Sequence, residues 1–136
     1  MSGENTRAIP SPITEEMIHR LVHAFYVKVR ADQELGPIFA RVIGDDWNPH
    51  LEKMCAFWSS VMLTSGRYKG NPMTAHMRLK MIRPAHFERW LSLFRATAEE
   101  LFAPEIARAF TLRADNIAKS LQLGMFFRAD AKSATG

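Results

Sequence analysis

Apolar residues recur along most of this chain with the 3.6-residue period of an α-helix. Period-two alternation nowhere lasts long enough to make a strand. Ile18, Leu21, Val22, Phe25 and Val29 follow the i, i+3, i+4, i+7, i+11 spacing of one buried stripe. Ser11 or Thr14 supplies the oxygen that caps this first helix, and Glu15 and Glu16 oppose its dipole in the first turn. Asp32 to Pro37 breaks the pattern, and a short helical turn around Ile38, Phe39 and Val42 ends at Gly44. Asn48 then caps a third helix with Pro49 at its first position, carrying Leu51, Met54, Cys55, Trp58, Val61 and Met62 until Gly66 stops it. A glycine-bracketed loop, GRYKGNP at 66–72, leads to a short helical piece from Met73 to Leu79. Pro84 opens a long helix with the stripe Phe87, Trp90, Leu91, Phe94, Ala98 and Leu101, and Pro104 opens the last, with Ile106, Phe110, Ile117 and Leu121. The expectation is an all-α domain of four long helices and short connecting pieces, the first long helix pairing with the third helix and the fourth with the fifth.

Length and composition narrow this further. With 136 residues, 47% hydrophobic and 24% charged, the chain has the size and balance of one globular domain. The expected domain is 13–127, flanked by loose tails at 1–12 and 128–136 that lack apolar periodicity. Cys55 is the only cysteine, which excludes an internal disulfide framework and fits a reducing compartment. The most apolar stretch, Met54 to Thr64, is too short to span a bilayer, and the first residues carry charge rather than a secretory apolar run. A cytoplasmic protein with no membrane partner is the expectation. The net charge of +4 comes from basic residues spaced singly among acids, the pattern of a solvated helical surface rather than a nucleic-acid footprint.

Some positions fit a plain core poorly. At about 100° per residue, Leu51, Cys55, Trp58 and Met62 form one stripe of the third helix. His50, Met54, Phe57 and Val61 form a second apolar strip with a histidine inside it. Tyr26 and Trp90 border the stripes of the first and fourth long helices, where such residues usually keep a polar tip in water. His19 and His23 have the i, i+4 spacing of a two-histidine metal site but lie with Arg20 on the polar side and read as surface. His86 reads as a structural hydrogen-bonding group near its helix start. His76 is the strongest oddity, set among Met73, Met77 and Leu79 with no acidic residue, cysteine or second histidine nearby. That excludes a local zinc cluster and a catalytic triad. One imidazole on an apolar segment suits a cofactor that brings its remaining metal ligands, haem above all.

Several ordered pieces carry a family resemblance: Phe25-Tyr26, LGPIF at 35–39, Trp47-x-x-His50, Phe57-Trp58, Gly66-x-Tyr68-x-Gly70, His76, and His86-Phe87-x-x-Trp90-Leu91. Together they resemble the group III truncated haemoglobins, bacterial two-over-two globins, across 13–127. Where that family often has a Leu-Pro stretch after the histidine, this chain has Leu79-Lys80-Met81-Ile82. The resemblance implies a two-over-two helical sandwich holding haem b (iron protoporphyrin IX), with His76 as the axial iron ligand. It implies that Tyr26, Trp90 and His50 face a bound gas on the distal side, with Phe25 beside them. Phe39, Met54, Phe57 and Trp58 would press on the porphyrin, Lys53 would pair a propionate, and Tyr68 would also contact the cofactor. The expected ligands are O2, CO and NO. Nitric-oxide or peroxide chemistry would need an external reductase, because the chain has no flavin or nucleotide motif. The alternative is a haem-free helical interaction module using its Met and aromatic edges as a partner groove.

Overall fold

The computed structural model describes residues 13–72 and 82–127. His76, the expected helix Met73–Leu79, the alternative cap Ser11 and both expected tails lie outside the described residues. Among the described residues five α-helices follow one another: α1 (Glu15–Ala31), α2 (Leu35–Ile43), α3 (Asn48–Leu63), α4 (Pro84–Leu101) and α5 (Pro104–Gln122). The last continues into a widened π turn, Leu123–Phe127. Among the described residues there is no strand, and no helix is long and apolar enough to cross a membrane.

Local chemistry sets these bounds. The Met17 amide donates to the Thr14 hydroxyl at 3.2 Å, so Thr14 is the cap of α1. Asp32 ends α1 and starts α2, because its carboxylate accepts from the Glu34 amide at 3.0 Å and the Leu35 amide at 2.9 Å. The break between them is therefore shorter than the pattern suggested: Pro37 lies inside the first turn of α2, where its missing N–H costs no helical bond. Gly36 lets the two helices turn tightly, since a Cβ there would meet the Arg30 carbonyl oxygen at 2.7 Å. Asn48 is the first helical residue of α3 rather than its cap, and its amide donates to Asp46 at 3.3 Å. At its other end α3 stops at Leu63, before Gly66, because Thr64 takes the left-handed conformation with φ 51°. The loop beyond folds back on α1: Ser59 donates to Glu15 at 2.7 Å, lies 2.7 Å from the Ser65 hydroxyl, and Ser60 accepts from the Tyr68 amide at 2.9 Å.

α1 packs on α3 and α4 lies along α5, as expected, and α1 packs on α4 as well, which the expected pairing did not include. α2 crosses against α1. The first-helix stripe Ile18, Leu21, Val22, Phe25 and Val29 is at most 1% exposed. It meets Trp58, Phe94 and Phe110 in one core, where each buried large side chain contributes on the order of 2–3 kcal/mol from area removed from water. A smaller cluster of Phe87, Ala118 and Leu121 packs under the π turn through Phe126. A bifurcated hydrogen bond from Arg89 Nε to both carboxylate oxygens of Asp32, at 2.9 and 2.7 Å, ties α4 to the α1–α2 corner.

Candidate functional site

The helix pairs do not close on one another everywhere. Between α2 and α3 on one side and α4 and α5 on the other lies a cleft of about 540 Å³, within the roughly 300–1,000 Å³ common for cofactor and ligand pockets. Its first wall is the second strip of α3. His50, Lys53, Met54, Phe57 and Trp58 sit at i, i+3, i+4, i+7 and i+8 and so share one helical face. α2 adds Leu35, Ile38, Phe39, Val42 and Ile43, and Tyr68 and Pro72 come from the following loop. The opposite wall is His86, Phe87 and Trp90 of α4 with Ile117, Ala118 and Leu121 of α5. Tyr26 reaches in from α1.

The lining is mostly apolar, and three of its polar-tipped rings, Tyr26, His50 and Trp90, come from three different helices. Tyr26 is only 4% exposed, so its tip is inside the protein rather than in water as an edge position usually implies. Its ring meets His50 edge-on at 5.1 Å, and Trp47 meets His50 edge-on at 5.5 Å. The Arg30 guanidinium covers Trp47 from outside at 4.7 Å. The Nε2 of His50 is buried. Desolvation pushes the Tyr26 hydroxyl well above the ordinary phenol range, and hydrogen bonding from Trp90 pulls it back by less. The phenol therefore stays protonated across the physiological range and keeps an O–H to donate. An indole has a single N–H and accepts nothing, so Trp90 can act in the cleft only as a donor.

Trp90 is half-buried and stacks flat on Phe94 at 5.3 Å with 5° between planes. Phe25, expected beside the distal residues, does not line the cleft. It stands one layer behind, edge-on to Tyr26 at 4.8 Å and to Trp90 at 5.1 Å. Phe39, Lys53, Met54, Phe57, Trp58 and Tyr68 all line the cleft, with Tyr68 edge-on to Phe57 at 5.2 Å. His86 makes the structural bond expected of it, its Nδ1 accepting from the Arg83 amide at 2.9 Å. It also lines the cleft, which its sequence context did not suggest. Beyond Phe39, the α2 contributions and all those of α5 were missed, since a stripe such as Ile117 and Leu121 reads the same whether it faces a core or an opening.

A flat, planar cofactor with apolar faces and an anionic edge fits these residues. The two walls are apolar, Lys53 supplies a cation, and Tyr26, His50 and Trp90 place polar atoms where a ligand on one face would stand. Comparison with known proteins points the same way. A family model described as bacterial-like globin matches residues 14–122. The chain is 36% identical over 113 residues to the group 3 truncated hemoglobin ctb of Campylobacter jejuni, covering 81% of this chain and 89% of that one. The crystal structure of the group III truncated hemoglobin from Campylobacter jejuni superposes with a TM-score of 0.82 at 34% identity, over 88% of this chain and 96% of that chain.

Proposed function

The chain belongs to the bacterial-like globin family, and from that premise we propose that it binds O2, CO and NO at a haem b iron held by His76, with Tyr26 as the principal distal donor. Haem supplies reversible binding of a diatomic gas and, given electrons, redox chemistry. The protein supplies the slot, the orientation and the distal hydrogen bond. The observation that carries this reading is the buried, protonated Tyr26 hydroxyl inside the cleft, ringed by His50 and backed by Trp90. A donor fixed in a dry pocket stabilises a ligand that gathers negative charge, and costs no reorganisation when it does so. O2 draws more electron density than CO, so Tyr26 favours O2. One such bond is worth on the order of 1–3 kcal/mol. The outcome is slow O2 release, better suited to redox chemistry than to transport: nitric-oxide detoxification or peroxide reduction with electrons from an external reductase. His50 sits beside Tyr26 and gates how close a ligand comes. Lys53 pairs a haem propionate, and Phe39, Met54, Phe57, Trp58 and Tyr68 hold the ring by contact. The working location is the cytoplasm.

The test is the visible spectrum of the purified protein, reduced and under CO, beside the His76→Ala variant. An intense band near the blue edge that shifts with CO and is lost or altered in the variant supports the assignment. A protein that stays colourless after added hemin overturns it and leaves a helical interaction module.

A further inference from the structure

On the outside of the α1–α3 pair is a second concavity of about 500 Å³, lined by His19 and His23 of α1, by Glu52, Cys55 and Ala56 of α3, and by Arg67. The two imidazoles sit one helical turn apart and are stacked, their ring centres 4.0 Å apart with 24° between planes. The i, i+4 spacing lets two histidines of one helix share a metal ion, as in zinc sites built on such a pair, once the rings turn out of the stack so that a nitrogen of each converges on it. The facing wall adds a carboxylate and a thiol, both ligand types for the same ions. Arg67 would repel a cation, but it is engaged by Glu15 at 2.6 Å, which offsets its charge. Among the described residues no three histidine, cysteine or acidic side chains converge closely enough to enclose an ion. The arrangement suits two protein ligands with water in the remaining positions.

We propose that His19 and His23 form a surface site for a borderline divalent transition ion of the zinc class, separate from the haem cleft. The site stands on its own geometry and does not depend on the haem reading. Imidazole is the preferred ligand of such ions, and only the neutral ring binds. His19 is exposed and His23 half-buried, so neither must be unpacked to reach an ion.

Zinc titrated calorimetrically into the purified protein, as isolated and with the thiol kept reduced, tests this. One saturable site with micromolar affinity is expected, weakened tenfold or more in both His19→Gln and His23→Gln. Zinc should also raise the thermal midpoint of the parent protein and leave that of the two variants unmoved. Glutamine keeps the helix propensity of these positions, so the variants fold. No saturable binding below millimolar zinc, or an affinity unchanged in both variants, overturns the proposal.

Discussion

Phe25 and Tyr26 are neighbours on α1, yet they feed two aromatic groups of opposite character. Phe25, Phe94 and Phe110 stand behind the cleft and Trp58 lines it, and together they make a solid layer, all at most 3% exposed. Trp58 stacks on Phe94 at 5.0 Å with 17° between planes. Its only polar ring atom is the indole nitrogen of Trp58, so close packing is its main requirement. In front, Tyr26, Trp47 and His50 meet mostly edge-on, each carrying a polar atom, with Phe39 beside them. A layer of that kind leaves gaps and directed donors. Trp90 joins the two, flat against Phe94 and lining the cleft together with Tyr26. Rings of similar size thus serve as ballast in one group and as aimed chemistry in the other. The difference lies in what each edge meets.

Replacing a ring in the back group should cost the most. Phe94→Ala leaves a cavity against two stacked indoles and should lower the unfolding free energy by about 3–5 kcal/mol in urea titration. A loss under about 1 kcal/mol would mean that the layer rearranges freely and is not the core described. In front, the effect should move from stability to ligand kinetics. Tyr26→Phe should speed O2 release by tenfold or more, the equivalent of about 1.4 kcal/mol, in stopped-flow displacement by CO. Trp90→Phe should accelerate it by only a few-fold, because Trp90 is half-buried whereas Tyr26 is almost fully enclosed, and a donor counts for more where water is excluded. Equal effects from the two would mean that Tyr26 is not the principal donor.

The third prediction concerns the clamp that holds α4, and with it Trp90, against the α1–α2 corner. Hydrogen bonding from Arg89 outweighs the effect of burial and holds the Asp32 carboxyl below its ordinary range, with help from the Leu35 and Glu34 amides. A depressed folded-state value means that the stabilisation is present above the unfolded pKa and fades as pH falls through the folded one. The stability gap between the parent and Asp32→Asn, read by urea unfolding, should therefore be full at neutral pH and shrink below about pH 4. A gap that does not change with pH would remove the ion pair from the explanation. The smallest effect is at Thr64, outside both groups. Thr64→Gly relieves a branched side chain at φ 51° and should raise stability by up to roughly 1 kcal/mol while leaving O2 release unchanged.

Much of this was legible beforehand where one helix suffices to carry the signal. The α1 stripe and the proline-opened starts of α4 and α5 follow from period and punctuation alone. The histidine-bearing strip of α3 was separable from its core stripe by angle, and it is the cleft wall. Thr64 was not legible as the stop of α3, because glycine is the usual left-handed residue and the serine contacts back to α1 are tertiary. Phe25 looked like part of the distal set because it adjoins Tyr26, but successive helical residues point about 100° apart.

By itself, then, the order of residues determined the helices, their buried faces and the short list of polar side chains set against apolar ones, since these depend on local backbone bonding and on a period. Only the tertiary structure decided which apolar faces meet and which stand apart. Ile117 and Leu121 border an opening, Phe25 backs the cage without entering it, and Trp90 lies flat against Phe94 at the edge of the cleft. Each of these depends on the distance between side chains from different helices. That distance is set by how the whole set of helices packs, and no single helix encodes it.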